Sequence, residues 1–122
     1  MAKLYESGEN YLETILMLRS QGKSARSIDV ARELEVSKPS VSRAVGILRT
    51  GGFIRVEDDG ELMLTESGQE IAERIYERHQ VLTDWLIQIG VSAETAAADA
   101  CKLEHHISEE SFCCLKRHIL GE

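Results

Sequence analysis

Apolar residues recur every three or four positions over the first 50 residues, which is the spacing that places side chains on one face of an α-helix. Three helices are predicted here: one ending near Gly22, one beginning at Ser27 and one beginning after Ser37. Ser37 is a favourable N-cap, and Pro39 fits the first turn because the N–H that it lacks would have no intrahelical acceptor. The predicted buried positions are Tyr11, Leu12, Ile15, Leu16 and Leu18, then Ile28, Ala31 and Leu34, then Val41, Ala44, Val45 and Leu48.

The period changes beyond residue 52. Residues 53–56 and 61–64 are predicted as short strands, and Asp58-Asp59-Gly60 between them is typical of a tight turn. Thr65 then predicts the start of a long helix that ends at Gly90, with Ile71, Ile75, Leu82, Leu86 and Ile89 as its apolar stripe. Two more helices are predicted, from Ser92 or Ala93 to about His106 and after Ser108. The fold class is therefore mainly α with a small β-hairpin.

Two short helices followed by a β-hairpin predict an N-terminal winged helix-turn-helix over residues 1–70, with a helical region over 71–122. The net charge of −7 is unevenly distributed, because residues 19–55 carry a balance of +5 and residues 56–122 a balance of −10. A basic block on a winged helix-turn-helix predicts binding to double-stranded DNA.

The helix after Ser37 is expected to enter the major groove. Arg43 is the candidate for reading a base edge, since a guanidinium pairs with both acceptors of guanine. Ser37, Lys38 and Ser40 are expected to face phosphates, and Arg55 of the wing is placed beside the DNA backbone. The predicted DNA-contacting residues are Arg26, Ser37, Lys38, Pro39, Ser40, Ser42, Arg43 and Arg55.

The acidic half contains a candidate metal site. Cys101, Glu104 and His105 are spaced i, i+3, i+4, so a continuous helix would present a thiolate, a carboxylate and an imidazole on one face. The remaining coordination positions are open to Asn10 and Glu13, themselves i, i+3, and to His79 of the long helix. Packing of a small buried thiol and solvation of the polar residues are the alternative explanations for each residue alone.

Five short segments together resemble the diphtheria-toxin-repressor family of metal-dependent transcriptional repressors. They are Asn10-Tyr11-Leu12-Glu13-Thr14-Ile15, Val36-Ser37-Lys38-Pro39-Ser40-Val41-Ser42, Leu64-Thr65-Glu66-Ser67-Gly68, Arg78-His79, and Cys101-Lys102-Leu103-Glu104-His105-His106-Ile107-Ser108. The resemblance implies a homodimer that binds a palindromic operator when Fe(II) or Mn(II) is bound and releases it otherwise. It also implies that helices after about Val91 form much of the dimer interface, so 71–122 becomes the metal-binding and dimerisation region.

The resemblance assigns candidate ligands residue by residue. Glu104 and His105 match ligands of both family branches, and His79 matches a ligand position in both. Cys101 matches the iron branch and Glu13 the manganese branch, whereas Asn10 departs from both. The metal is expected to tie the first helix to the dimerisation helices.

Two further positions depart from the family pattern. Thr83 and Ala97 stand where the iron branch has Glu and His in its ancillary site, so a single site, or a rearranged pair using Glu13 and His79, is expected. The chain ends at Glu122, and the SH3-like domain of longer members is expected to be absent, as in the short manganese-type members.

The ligand types favour particular metals. A thiolate favours Fe(II), Co(II), Ni(II) or Zn(II) over Mn(II), which prefers oxygen ligands. Fe(II) is therefore the favoured cofactor and Mn(II) the second candidate, and Zn(II), Co(II) or Ni(II) are expected to substitute in vitro.

Other classes of protein are less compatible with the sequence. An enzyme is not expected, because no nucleophile–base pair, phosphate-binding loop or Gly-rich cofactor motif accompanies the candidate ligands, and no small-molecule substrate is implied. No secretory segment or membrane-length apolar run is present, and the three cysteines favour reduced thiols in the cytoplasm. A structural dimerisation domain would leave the basic block unexplained. The alternative that remains is a winged-helix regulator that senses a small organic ligand or thiol oxidation at Cys113-Cys114.

Overall fold

The computed structural model describes residues 6–121, and side chains from residue 8 onwards. In chain order the elements are α1 Glu6–Ser20, α2 Ser27–Leu34, α3 Lys38–Thr50, β1 Ile54–Val56, β2 Leu62–Leu64, α4 Glu66–Gln88, α5 Ala93–Leu103 and α6 Glu109–Leu120. The predicted fold class, mainly α with one β-hairpin, is confirmed. No helix within the described range is long and apolar enough to span a membrane.

The chain forms two compact units, Met1–Glu73 and Arg74–Glu122, and the division falls within α4. The N-terminal unit contains α1, α2, α3, the hairpin and the first part of α4. The C-terminal unit contains the rest of α4 with α5 and α6. The boundary expected from the sequence, after residue 70, lies in the same helix.

The core of the N-terminal unit is mainly aliphatic. Its buried residues are Tyr11, Leu12, Ile15, Leu18, Ala25, Val30, Ala31, Val41, Leu48, Ile54, Leu62 and Ala72. The prediction that Ile28 is buried was wrong, since its side chain is 49% exposed. At about 100° per residue, Val30, Ala31 and Leu34 share one face of α2, and Ile28 lies about 60° outside that face.

The wing joins the start of α4 through backbone and side-chain hydrogen bonds. β1 and β2 are antiparallel, with Ile54 opposite Leu64. The Thr65 hydroxyl donates to the Gly52 carbonyl at 2.7 Å and accepts from the Gly68 N–H at 3.2 Å. Thr65 therefore caps α4, as predicted, and also binds the chain that leaves α3.

Gly68 provides a first test of this packing, because a Cβ atom there would overlap the carbonyl oxygen of Phe53. Overpacking costs about 1–3 kcal/mol, whereas Gly-to-Ala exchange in a helix gains about 1 kcal/mol. We expect Gly68→Ala to lower the free energy of unfolding by up to about 2 kcal/mol, measured by urea denaturation. Gly46→Ala is the control, because a methyl group at Gly46 would meet nothing within 4 Å other than the adjoining residues and backbone of its own helix. Its stability should rise, and a stabilised Gly68→Ala would contradict the packing argument.

Two helices of the C-terminal unit, α4 and α5, end earlier than the sequence predicted. α4 ends at Gln88, so Ile89 falls beyond the helix and is 61% exposed rather than buried. α5 ends at Leu103 rather than near His106, and the chain continues as a hydrogen-bonded turn in which the N–H groups of His106 and Ile107 both donate to the Leu103 carbonyl. The Ser108 side chain then accepts from the Ser111 N–H at 3.1 Å and caps α6, as predicted.

Candidate nucleic-acid interface and metal centre

The helix predicted to read DNA has one face that is not used in packing. Ser37 caps α3 by accepting from the Ser40 N–H at 3.2 Å, and Pro39 lies in the first turn. Val41 and Leu48 point into the core, while the outer positions Lys38, Pro39, Ser42 and Arg43 are exposed and Ser40 is half-buried.

Two of these exposed residues, Lys38 and Arg43, are positively charged. Within the described part of the chain, Lys38 and Arg43 form no ion pair or hydrogen bond through their side chains. An exposed guanidinium without a protein partner keeps its five donors for an external acceptor. This favours α3 as the contact surface for a polyanion.

The other two basic residues predicted to contact DNA, Arg26 and Arg55, lie close to acidic residues of the hairpin that forms the wing. The Arg26 Nε–H donates to the Asp59 carbonyl at 3.0 Å, and its Nη2 lies 3.8 Å from the Asp59 carboxylate. Arg55 is exposed on β1 with its Nη2 3.7 Å from Glu57. Exposed ion pairs of this kind are weak, typically about 0–1 kcal/mol, so a phosphate can compete for either guanidinium.

A carboxylate outside the predicted site residues anchors the wing. Glu61 accepts hydrogen bonds from the Ser24 hydroxyl, from the Ala25 N–H at 3.1 Å and from Arg19 Nη1 at 3.2 Å. The Leu62 N–H also donates to the Ala25 carbonyl at 3.0 Å. These contacts bind the hairpin to α1 and to the loop before α2, so they fix the position of the wing relative to the helices that support α3. Nothing in the spacing of charges pointed to Glu61, because its partners lie 36–42 residues away along the chain.

The wing anchor predicts a pH dependence. The Ser24 hydroxyl and then the Ala25 N–H hold the pKa of Glu61 below its ordinary value of 4.5. A lowered pKa contributes stability that is present above the ordinary value and is lost as the pH falls through the folded-state value. We expect Glu61→Gln to lower Tm at pH 7 and to weaken the loss of Tm in acid. Asp58→Asn in the exposed turn is the control, and identical acid profiles for the two variants would exclude the anchoring role.

Three potential metal ligands meet in the C-terminal unit. His79 lies on α4, Cys101 lies on α5, and Glu104 is the first residue after α5. One donor atom from each lies within 4.8 Å of the other two. Cys101 and Glu104 are thus brought together as expected, and His79 of the long helix joins them.

Glu104 is the buried centre of this group. Its side chain has no solvent exposure, its Oε2 lies 2.8 Å from His79 Nδ1 and its Oε1 lies 3.3 Å from His105 Nε2. A buried carboxylate is costly unless it is paired with a cation or hydrogen-bonded. His105 contacts Glu104 from the turn after α5, because α5 ends at Leu103 and does not reach His105. The spacing had predicted both residues on one face of a continuous helix.

The donor set fits a divalent transition metal. Ligand atoms bound at about 2.0–2.3 Å to one ion lie no more than about 4.6 Å apart, so three atoms within 4.8 Å need only small rearrangements to share an ion. Imidazole, thiolate and carboxylate are the ligand types of Fe(II), Co(II) and Zn(II) sites. Cys101 is exposed and His79 is half-buried, so an ion from solvent can reach the site.

The remaining two predicted ligands lie in the N-terminal unit. Asn10 and Glu13 are half-buried on α1, almost one turn apart. The main-chain carbonyl of Asn10 accepts a hydrogen bond from the Thr14 hydroxyl at 2.8 Å. Their role in metal binding stays a prediction.

Two family profiles together match nearly the whole chain. The profile described as "Iron dependent repressor, N-terminal DNA binding domain" matches residues 3–62. The profile described as "Iron dependent repressor, metal binding and dimerisation domain" matches residues 65–120. His79, Cys101 and Glu104 all fall in the second range.

Individual relatives agree with these profiles. The transcriptional regulator MntR of Escherichia coli is 38% identical over 104 residues, which cover 85% of this chain and 67% of MntR. The iron-dependent repressor IdeR of Mycobacterium tuberculosis is 34% identical over 111 residues, which cover 90% of this chain and 48% of IdeR.

A solved structure extends the agreement to the fold. The crystal structure of T. acidophilum IdeR is similar with a TM-score of 0.77 and 26% identity, covering 100% of this chain and 56% of that one. The chain thus spans about two thirds of the length of MntR and about half of the IdeR proteins.

Proposed function

The chain belongs to the iron-dependent repressor family of metal-dependent transcriptional regulators, and we propose that it represses transcription as a metal-activated homodimer on a palindromic operator. The observation that carries the proposal is the convergence of His79, Cys101 and Glu104 donor atoms in the C-terminal unit. In this proposal residues 1–70 bind DNA, and residues 71–122 bind metal and form the dimer.

We propose Fe(II) as the cofactor, with Mn(II) as the second candidate. The thiolate of Cys101 supports Fe(II), because Mn(II) prefers oxygen ligands. Among the relatives, IdeR of M. tuberculosis is described as iron-dependent. When bound, the ion supplies a positive charge that several deprotonated side chains can share. Zn(II), Co(II) and Ni(II) are expected to bind the same donors in vitro, since these later metals bind N/O/S sites more tightly than Fe(II).

The proposed mechanism couples ligand convergence to the geometry of DNA binding. With a metal bound, His79, Cys101 and Glu104 would share it and hold the C-terminal helices in one arrangement, with His105 against Glu104. In the proposal Asn10 and Glu13 add ligands from α1, so that metal binding also restricts the DNA-binding unit. Two recognition helices then match half-sites roughly 34 Å apart, or a multiple of it. A coupling of about 1–3 kcal/mol between metal and DNA binding is sufficient for regulation.

The proposal is tested by operator selection from a random DNA pool under anaerobic conditions with Fe(II), followed by fluorescence anisotropy on the selected sequence. We expect operator affinity about 5–150-fold higher with Fe(II) or Mn(II) than with chelator. Titration at several salt concentrations measures the phosphate contacts, because log affinity falls with log salt concentration. Equal affinity with metal and with chelator would contradict metal activation.

The family membership supports metal sensing over the alternative of an organic ligand or thiol oxidation. A regulator that binds chromosomal DNA acts in the cytoplasm, and we place the protein there without an enzymatic role or a small-molecule substrate. Metal analysis of anaerobically purified protein distinguishes the two triggers. A metal-free protein whose DNA binding responds to oxidation of Cys113 and Cys114 would favour the alternative.

A further inference from the structure

Arg78 is a nearly buried arginine that precedes His79 on α4. Its side chain is 8% exposed, and its Nη1 group donates to the carbonyl of Glu104 at 3.2 Å and to the carbonyl of Ile107 at 2.7 Å. Its Nη2 group donates to the Glu109 carboxylate at 2.7 Å. One guanidinium thus binds two carbonyl groups of the segment between α5 and α6 and the side chain of the first residue of α6.

This segment needs such a partner because α5 ends at Leu103. Carbonyl groups at the end of a helix have no intrahelical donor, and an arginine is well suited to them because it is cationic and has several donors in a rigid plane. Arg78 supplies that contact at the residue which also provides the candidate carboxylate ligand. The segment held in this way carries Glu104 and His105.

The far side of the guanidinium fixes α6. The Arg78 guanidinium carbon lies 5.3 Å from the centroid of the Phe112 ring, and Phe112 is itself buried. The hydrogen bond from Arg78 also keeps the pKa of Glu109 below its ordinary value, because the cationic donor stabilises the ionised carboxylate. Arg78 is therefore held in place by α6 while it binds the turn.

Neighbouring residues of α4 consequently hold Glu104 at two points. Arg78 binds its main-chain carbonyl, and His79 lies 2.8 Å from its side-chain oxygen. We propose that Arg78 is a positioning residue for the candidate metal site, which fixes the turn after α5 so that the Glu104 carboxylate faces His79 and Cys101 before a metal binds. This inference rests on the proposed function, because it assumes that the three donors bind metal.

A positioning role predicts that the planar fork of Arg78 matters as well as its charge. Lysine keeps the charge but has a single side-chain nitrogen, which cannot reach all three acceptors that the guanidinium binds. Outer groups that orient metal ligands typically change metal affinity by about 10–100-fold when they are removed. We expect Arg78→Lys to lose Co(II) affinity within that range and to weaken the thiolate-to-Co(II) charge-transfer band.

The experiment is an anaerobic Co(II) titration of the full chain, read by visible and near-ultraviolet absorption. Glu109→Gln is the second variant. Its side chain is exposed and is not one of the candidate donors, so the substitution leaves the fold intact while it weakens one anchor of Arg78. It should lower Co(II) affinity in the same direction but by less. Lys116→Ala is the matched control, because it breaks another α4–α6 ion pair, with Glu77 at 3.1 Å, away from the turn.

The outcomes separate this inference from the proposed function. Loss of Co(II) affinity in Arg78→Lys and a smaller loss in Glu109→Gln, with Lys116→Ala like the unsubstituted protein, would support a positioning role. Equal Co(II) affinity in all four proteins would overturn it. If the unsubstituted protein itself gives no thiolate-to-Co(II) band, the proposed metal site fails, and the positioning role fails with it.

Discussion

Replacing Cys101 with alanine is expected to abolish most of the metal response of operator binding while leaving the fold intact. Cys101 is exposed on α5, and alanine is the best helix former, so we expect the substitution to preserve the helix. It removes one of the three converging donors in the C-terminal unit. Because removal of a mere supporting group already costs about 10–100-fold in metal affinity, loss of a ligand should cost at least that much.

The measurement is operator anisotropy across a titration of Fe(II) under anaerobic conditions. Cys114→Ala is the matched control, since Cys114 is also an exposed thiol but lies on α6 outside the ligand group. Circular dichroism of the metal-free variants checks that helix content is unchanged. A Cys101→Ala protein that responds to Fe(II) like Cys114→Ala would show that the thiol is no ligand.

Replacing Arg43 with alanine is expected to cost about 1–3 kcal/mol on the preferred operator and to relax discrimination at one base pair. The guanidinium is exposed on the outer face of α3 and has no protein partner within residues 6–121, so the loss falls on DNA binding and not on stability. A bidentate contact to guanine accounts for a loss of this size.

Lys38→Ala provides the comparison, because Lys38 lies in the first turn of α3, where phosphate contacts are expected. It should weaken binding to all sequences alike and reduce the slope of log affinity against log salt by about 1. Both variants are measured on the selected operator and on single-base substitutions of it. An equal loss for Arg43→Ala on every sequence would mark it as a phosphate contact instead.

Local signals were sufficient to place most elements of the fold. Residue type and position predict Ser37, Thr65 and Ser108 as helix caps, and each accepts the expected backbone hydrogen bond. The hairpin followed from a change of period around an Asp-Asp-Gly turn. These features involve contacts within a few residues, which is the range over which sequence patterns carry information.

The sequence predictions were wrong where the structure depended on more than the spacing of neighbouring residues. The i, i+3, i+4 spacing of Cys101, Glu104 and His105 assumed that α5 continues, but the helix closes at Leu103. His79 is different, because it does lie with Cys101 and Glu104, but this position depends on how α4 packs with α5 and not on spacing along the chain. Ile28 was misplaced because an eight-residue helix allows more than one apolar face.

The sequence by itself determined that this is a winged helix-turn-helix chain with a basic helix α3, because periodicity, caps and charge are properties of neighbouring residues. The assignment of the candidate ligands to a metal-dependent repressor came from the resemblance of five short segments to that family. Only the tertiary structure decided which donors meet and what supports them. The hydrogen bonds of Glu61 to α1 and the loop before α2, and of Arg78 to the turn after α5 and to the start of α6, join residues 26–42 positions apart. Such pairs become neighbours only when helices pack, so no spacing rule along the chain could have found them.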